Sequence, residues 1–295
     1  MRAVAGAGRW VWGVSGLVTV ALLAFPAARI ITTAGPAGHG QPSGSVTRTV
    51  TVPQRVTSLT VQSYGAPVQV TGAPVSHVKV SETFAPDGSV APPVAASVRN
   101  GQLSVGSSAC MTWENCANFV VIVPSDMVVS VDSQGGPVTV SGVGAVNLNT
   151  GGGFLSASRI AGPVDVSTDG GPAQLAHVTG PVQVDTGGGS LSASAVTAAS
   201  AIISTEGGPA QLTGSIGRLY VQTGGGSADV TLATAPETVT IGSDGGPAAL
   251  VVPGGPYAIS TQTDGGPQSV SIASSTSATR SITVTTGGGS LQIGH

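Results

Sequence analysis

The feature that most constrains the fold of this chain is a Gly-Gly pair, followed by Pro or Gly, that recurs at nine nearly regular positions after residue 124. The pairs begin at Gly135, Gly151, Gly170, Gly187, Gly207, Gly224, Gly245, Gly265 and Gly287. Their eight intervals span 152 residues, a mean of 19. Each unit contains two apolar pairs of i, i+2 type, such as Val164 and Val166 followed by Ala173 and Leu175. Period two is the spacing of β-strands, so helical repeats are excluded.

A second period overlies the first. Units that begin Gly-Gly-Pro alternate with units that begin Gly-Gly-Gly. The residue before the glycines alternates too, with Gln134, Asp169, Glu206 and Asp244 in one set and Thr150, Thr186 and Thr223 in the other. The alternation breaks once, because Asp264 opens a second Gly-Gly-Pro unit in succession before Thr286 resumes the other form.

These patterns predict an all-β fold, specifically a parallel β-solenoid, or β-helix-like fold, built from the 19-residue repeats. In such a fold every position stacks on its own equivalents about 4.8 Å away, and a stacked charge would repel itself. The composition agrees, because only 8% of the residues are charged, while 45 of the 295 are glycine and suit tight corners. The main structural alternative is an antiparallel meander or sandwich in which each Gly-Gly is a hairpin turn.

The length of one coil stays open between one repeat and two. With a two-repeat coil, Asp169, Glu206 and Asp244 would stack directly and need a cation or protonation. With a one-repeat coil, a threonine would separate them.

The chain before the repeats divides into four parts. We predict a cytoplasmic tail over 1–9, a transmembrane signal anchor over 10–31, a Gly/Pro/Ser linker over 32–46 and N-terminal strands with a cysteine loop over 47–123. The strands are expected to cap the solenoid of 124–295, since an open terminal coil invites edge-to-edge association. The last unit, TTGGGSLQIGH, has no evident cap, so self-association through that end is expected.

The N-terminal segment Trp10 to Ala28 has nineteen residues without a charge, about the length that a membrane-spanning helix needs. Arg2 and Arg9 precede it, which favours a cytoplasmic N-terminus and an extracellular C-terminal domain. The alternative is a cleaved secretory signal, which would make the protein secreted. Both interpretations export the repeats.

The two cysteines, Cys110 and Cys116, lie in the sequence CMTWENC. An oxidising outer compartment favours a disulfide between them, and two thiolates alone do not make a zinc site. Without oxidation, they would be two small apolar residues.

The sequence carries little evidence for catalysis. No nucleophile elbow, phosphate-binding loop or zinc-protease motif is present, and no cofactor is expected. A formal net charge of −3 and the lack of a basic cluster exclude nucleic acid as a partner. No metal site is predicted, although the acids before the glycines, Asp169, Glu206, Asp244 and Asp264, are candidates for an acidic ladder that could bind calcium or a glycan.

The order of features along the chain suggests a family. An N-terminal membrane segment is followed by short strands, by a C-x5-C loop that leads into Phe119 to Pro124, and by V-x-V repeats separated by glycines. In this order the chain resembles the bacterial putative-adhesin β-strand-repeat family, a domain of unknown function common in actinobacteria. The resemblance covers roughly Val46 to His295 and implies a cell-surface β-solenoid without an established activity.

The leading functional hypothesis is a non-enzymatic, membrane-anchored, adhesin-like module that contacts a cell-surface protein or glycan. The second is the ectodomain of an envelope-stress or regulatory system. A third is a polysaccharide-active β-helix enzyme, which would also need cations to stabilise a developing anion, and Arg159, Arg218 and Arg280 are scattered.

Overall fold

A computed structural model describes residues 31–33, 46–84, 95–106 and 118–295. These residues form an all-β structure of 24 strands, without a helix in the described ranges. The first twelve strands are β1 Ile31–Thr33, β2 Val46–Val52, β3 Ser58–Ser63, β4 Val68–Ala73, β5 Val78–Phe84, β6 Ala95–Arg99, β7 Gln102–Gly106, β8 Asn118–Pro124, β9 Val128–Ser133, β10 Val138–Ser141, β11 Ala145–Thr150 and β12 Leu155–Ile160. The others are β13 Val164–Thr168, β14 Ala173–Thr179, β15 Val182–Thr186, β16 Leu191–Thr205, β17 Ala210–Thr223, β18 Ala228–Leu232, β19 Thr238–Ser243, β20 Ala248–Val251, β21 Ala258–Thr263, β22 Gln268–Val270, β23 Ser281–Thr286 and β24 Leu291–Gly294.

Most of these strands stack in two parallel ladders. Ladder A runs β7-β3-β9-β11-β13-β15-β16-β17-β19-β23-β21, and ladder B runs β8-β4-β10-β12-β14-β16-β17-β18-β20-β24-β22. The long strands β16 and β17 contribute their first halves to ladder B and their second halves to ladder A. We call one ladder A strand together with the following ladder B strand a level.

Equivalent repeat positions pair with each other between levels. In ladder A, Val146 pairs with Val164, Val164 with Val182, and Val182 with Ala201, all in parallel. These side chains are buried, and the residues between them point outward. The pairing repeats every 18 to 20 residues along most of the chain, as in Thr150, Thr168, Thr186, Thr205, Thr223 and Ser243. One repeat therefore makes one level, and the pairing is not that of antiparallel hairpins.

The order of levels in space differs from the order in sequence at both ends. The level formed by β3 and β4 lies between the level of β7 and β8 and that of β9 and β10. The final level in sequence, formed by β23 and β24, lies between β19 with β20 and β21 with β22. This insertion restores the alternation that the sequence breaks, because the Gly-Gly-Gly unit at Gly287 separates the Gly-Gly-Pro units at Gly245 and Gly265.

Antiparallel strands continue the ladders at the N-terminal end. In ladder B, β8 pairs with β5, β5 with β2, and β2 with β1, all antiparallel. In ladder A, β6 pairs antiparallel with β7. The ladders also run across the boundary at residue 124, since β3 and β9 pair in register. Thr32 and Thr33, which were expected to belong to the linker over 32–46, lie in β1.

The predicted transmembrane anchor over 10–31, including the uncharged segment Trp10 to Ala28, lies outside the described residues except for Ile31, which begins β1 and is therefore not part of a membrane helix. Within the described ranges, no helix is long and apolar enough to cross a bilayer.

The C-terminal end is formed by β21 and β22 and not by the final unit of the sequence. The last unit, which was expected to be uncapped, has a neighbouring strand on both sides. Tyr257, which precedes β21, is fully buried. Its hydroxyl donates a hydrogen bond to the Pro253 carbonyl at 2.9 Å, and its backbone N–H donates to the Ala273 carbonyl at 3.2 Å. The loop after β22 is thereby fixed against the end of the stack.

Candidate binding face

The corner between each ladder A strand and the following ladder B strand contains a column of buried hydroxyls. Its members pair in register, and all but the half-buried Thr263 are buried: Ser63, Ser133, Thr150, Thr168, Thr186, Thr205, Thr223, Ser243, Thr286 and Thr263. Most donate to the carbonyl three residues later, as Thr186 Oγ1 does to Gly189 at 2.8 Å. Thr150 is the exception, since its Oγ1 accepts a hydrogen bond from the Gly153 N–H at 3.2 Å. The column closes each corner, because each hydroxyl satisfies a backbone polar group of the turn.

The hydroxyl column shows how the two kinds of unit align. Thr168-Asp169-Gly170-Gly171 aligns with Thr186-Gly187-Gly188-Gly189, so the acid of one level corresponds to the first glycine of the next. The alternation is therefore between acid and glycine, and not between acid and threonine as the pre-glycine residues alone indicate.

Close approach between levels is the reason for two of the three glycine positions. A Cβ at Gly187 would lie 2.3 Å from the Asp169 carbonyl oxygen, and one at Gly189 would lie 1.9 Å from the Gly171 oxygen. A Cβ at Gly188 would meet nothing within 4 Å. None of these three has a positive φ, so stacking distance and not backbone handedness requires the outer two.

The four acids of the candidate ladder lie along this corner, and all are exposed. Asp169, Glu206, Asp244 and Asp264 occupy alternate levels, with Gly187, Gly224 and Gly287 between them. Two levels correspond to roughly 9 to 10 Å. At that separation two carboxylates in water repel by only about 0.4 kcal/mol, so the row needs neither protonation nor a bound cation.

No cluster of three or more metal-ligating side chains occurs among the described residues. The structure thus brings the four acids into one row but does not converge them on one point. Cys110 and Cys116 lie outside the described residues, so their disulfide stays a prediction.

An exposed apolar patch lies on the outer face of ladder A next to this row. Ile202 pairs in register with Tyr220, and their side chains are 50% and 45% exposed. Their neighbours at the same outward position in other levels are polar, among them Gln183 and Thr240. Neither residue of this pair is among the candidates singled out from the sequence. The available signal is Ile202 itself, an aliphatic residue at an outward position between inward-facing Ala201 and Ile203.

Polar groups surround the pair. Arg218 lies two residues before Tyr220 on the same face and donates from Nε to Glu237 Oε2 at 3.0 Å. Gln222 lies two residues after Tyr220 and donates from Nε2 to Asp244 Oδ1 at 3.3 Å. We call Ile202, Arg218, Tyr220, Gln222 and Asp244 the tyrosine patch. One member of the acidic row is therefore part of a larger group with an apolar centre and a polar rim.

A shallow groove lies elsewhere, on the outer face of ladder B at the C-terminal end. It has a volume of about 290 Å³, and its lining includes Val251, Ser269, Ser271 and Gln292. No titratable side chain lines it. Hydroxyls without an adjacent base or acid provide no activated nucleophile.

Comparison with known proteins supports the fold. No family model and no curated protein matches the sequence. The "putative lipid binding protein" of Parabacteroides distasonis is similar in structure, with a TM-score of 0.52 and 10% identity over 85% of this chain and 97% of that chain. Further similar structures are a "putative adhesin" from Parabacteroides merdae (TM-score 0.49, 12% identity, 85% and 96% covered) and one from Parabacteroides distasonis (0.48, 11%, 85% and 98%). At 10% identity, the similarity to the first of these structures shows a shared fold and nothing more.

Proposed function

We propose that this chain is a parallel β-solenoid exported across the membrane, held there by its N-terminal segment, and used as a non-enzymatic, adhesin-like binding module. The in-register parallel ladders support the solenoid, and the uncharged segment Trp10 to Ala28 supports membrane anchoring. The ligand is a cell-surface protein or glycan, and the tyrosine patch binds it.

The exposed Tyr220 and Ile202 pair carries this proposal. Tyrosine and arginine are the residue types that most often dominate binding energy, and an aromatic ring with a polar rim suits both protein and sugar surfaces. The two residues belong to adjacent strands of a hydrogen-bonded ladder, so their backbones are already ordered before binding. A preorganised surface loses less conformational entropy on association.

The placement of the acids argues against a polysaccharide-cleaving site. Glycosidases place two carboxyl groups about 5 to 9.5 Å apart on either side of one bond. Here the acids of the row lie along one edge, two levels apart, and do not face each other across a cleft. Asp244 binds Gln222, which indicates a role in orienting the rim of the patch.

The experiment is adhesion by cells that display the full chain, compared with a deletion strain. Tyr220→Ala is expected to lose adhesion, whereas Tyr64→Ala is the matched control, since Tyr64 is 50% exposed at a distant corner. Glycan and matrix-protein arrays probed with the same variants would identify the ligand class. Unchanged adhesion by Tyr220→Ala, or a chain that fractionates with the cytosol, would overturn the proposal.

A further inference from the structure

We infer that the N-terminal end of the stack docks on anionic lipid headgroups through an exposed basic corner formed by Arg55, Lys79 and Arg99. This inference rests on the proposed membrane anchor and adds a second contact between the protein and the bilayer. It follows from strand register, chain length and charge.

Strand register places the entry of the chain at this corner. Ile31 of β1 pairs with Thr49 of β2, and Thr33 pairs with Thr47. The chain therefore reaches β1 from the side where β2 ends. At that same end of β2, Thr51 pairs with Lys79.

The other two cations converge on the same corner. Arg55 lies in the connection between β2 and β3, two residues before Thr57. The Thr57 backbone N–H donates to the Gly101 carbonyl at 2.8 Å, and its hydroxyl donates to the same oxygen at 3.2 Å. Arg99 is two residues before Gly101, at the end of β6. Hydrogen bonds and register thus join the three segments that carry the cations.

The length of chain before β1 leaves little distance between this corner and the bilayer. Three residue steps separate Ala28, the end of the uncharged segment, from Ile31. An extended chain covers at most about 10 to 11 Å in three steps. If the segment spans the membrane, the corner must lie at the height of the headgroups.

The charge of the corner suits that position. The side chains of Arg55, Lys79 and Arg99 are all exposed. Among the residues that the structure describes, the nearest acid by register is Asp126, which precedes β9 as Val56 precedes β3. Glu82 points inward with Val78 and Val80, opposite Arg48, and does not face the surface. Each basic residue close to an anionic bilayer strengthens binding by about fivefold, and this attraction weakens as salt shortens the screening length.

The test uses the full chain reconstituted in phosphatidylcholine vesicles with and without phosphatidylglycerol. Amide hydrogen exchange is followed over residues 46–57 and 74–79. We expect slower exchange in the anionic vesicles at low salt, and loss of the difference at about 1 M salt. The double variant Lys79→Glu with Arg99→Glu should lose the protection. The control, Arg159→Glu with Arg280→Glu, makes the same change in net charge elsewhere and should keep it.

The outcomes separate the two proposals. Equal exchange in both kinds of vesicle, from a chain that resists carbonate extraction, would overturn lipid docking and leave the anchor intact. Loss of protection in the control pair as well would also overturn it, because total charge and not this corner would then be responsible. Release of the chain by carbonate would instead overturn the membrane anchor on which the inference depends.

Discussion

Gly187 and Gly188 are neighbours in one corner, yet the structure gives them opposite tolerance for a methyl group. A Cβ at Gly187 would lie 2.3 Å from the carbonyl oxygen and 3.1 Å from the carbonyl carbon of Asp169, both backbone atoms of the adjacent level. The levels would have to separate by about 1 Å to restore ordinary contact. That separation would break the 2.8 Å hydrogen bond from the Gly187 N–H to the Thr168 carbonyl.

These two effects set the magnitude. Overpacking costs about 1 to 3 kcal/mol, and a lost backbone hydrogen bond costs about 1 kcal/mol. We therefore expect Gly187→Ala to lower the free energy of unfolding by about 2 to 4 kcal/mol, which for a chain of this size is a fall in Tm of about 5 to 15 °C. Gly188→Ala should leave Tm unchanged or raise it by about 1 to 3 °C, because alanine restricts the unfolded chain and here meets open space.

Thermal unfolding followed by circular dichroism measures both variants, and hydrogen exchange locates the weakened levels. The largest loss of protection should occur at the strands on either side of Gly187. If the two alanine variants melted at the same temperature, close stacking would not be the reason for glycine at the first position, and the alignment of levels would be wrong.

Four further outcomes follow from particular contacts. Thr186→Val should destabilise by about 1 kcal/mol through loss of its corner hydrogen bond, whereas the exposed Thr197→Val should be neutral in urea unfolding. Ala195 has a φ of 52°, so Ala195→Gly should raise the free energy of unfolding by up to about 1 kcal/mol. The control Ala199→Gly, on the same strand, should lower it. A lower free energy of unfolding in both variants would contradict backbone strain at Ala195. Burial raises the pKa of the Glu82 carboxyl, and the charge of Arg48 partly offsets this effect. The stability of the fold should therefore fall as the pH rises from about 4.5 through the raised pKa. A pH series of melting curves measures this fall, which Glu82→Gln should abolish. Chelators should leave Tm unchanged, because acids two levels apart cannot share one cation, and a clear fall with EDTA would contradict this placement.

Much of the architecture could be predicted from local pattern. The i, i+2 apolar pairs predict strands, and pairs such as Val68 with Val70 and Val121 with Val123 do lie buried in β4 and β8. The scarcity of charge predicts stacking of equivalent positions, and the ladders pair those positions in parallel. Such inferences succeed because strand periodicity and the repulsion between stacked charges act at a fixed spacing that the sequence itself displays.

The candidate site depended on contacts that no local pattern contains. Ile202 and Tyr220 are 18 residues apart in sequence and become neighbours only through the register of β16 with β17. The basic corner joins residues 55, 79 and 99 through an antiparallel sheet whose pairing could not be deduced from short, similar strands.

The sequence by itself determined the strand-and-corner unit, its repeat length and the positions that face inward, because these depend on side-chain alternation and on residues adjacent in the chain. Only the tertiary structure decided the order of the levels, since any of these similar units could stack on any other. The insertion of β23 and β24 between earlier levels places the glycines of residues 287–289 between two acid-bearing corners, and so keeps Asp244 and Asp264 two levels apart. The physical reason is that the backbone carbonyl oxygen of Asp244 would lie 2.0 Å from a Cβ at Gly287, so glycine fits the first corner position of the level that stacks on it.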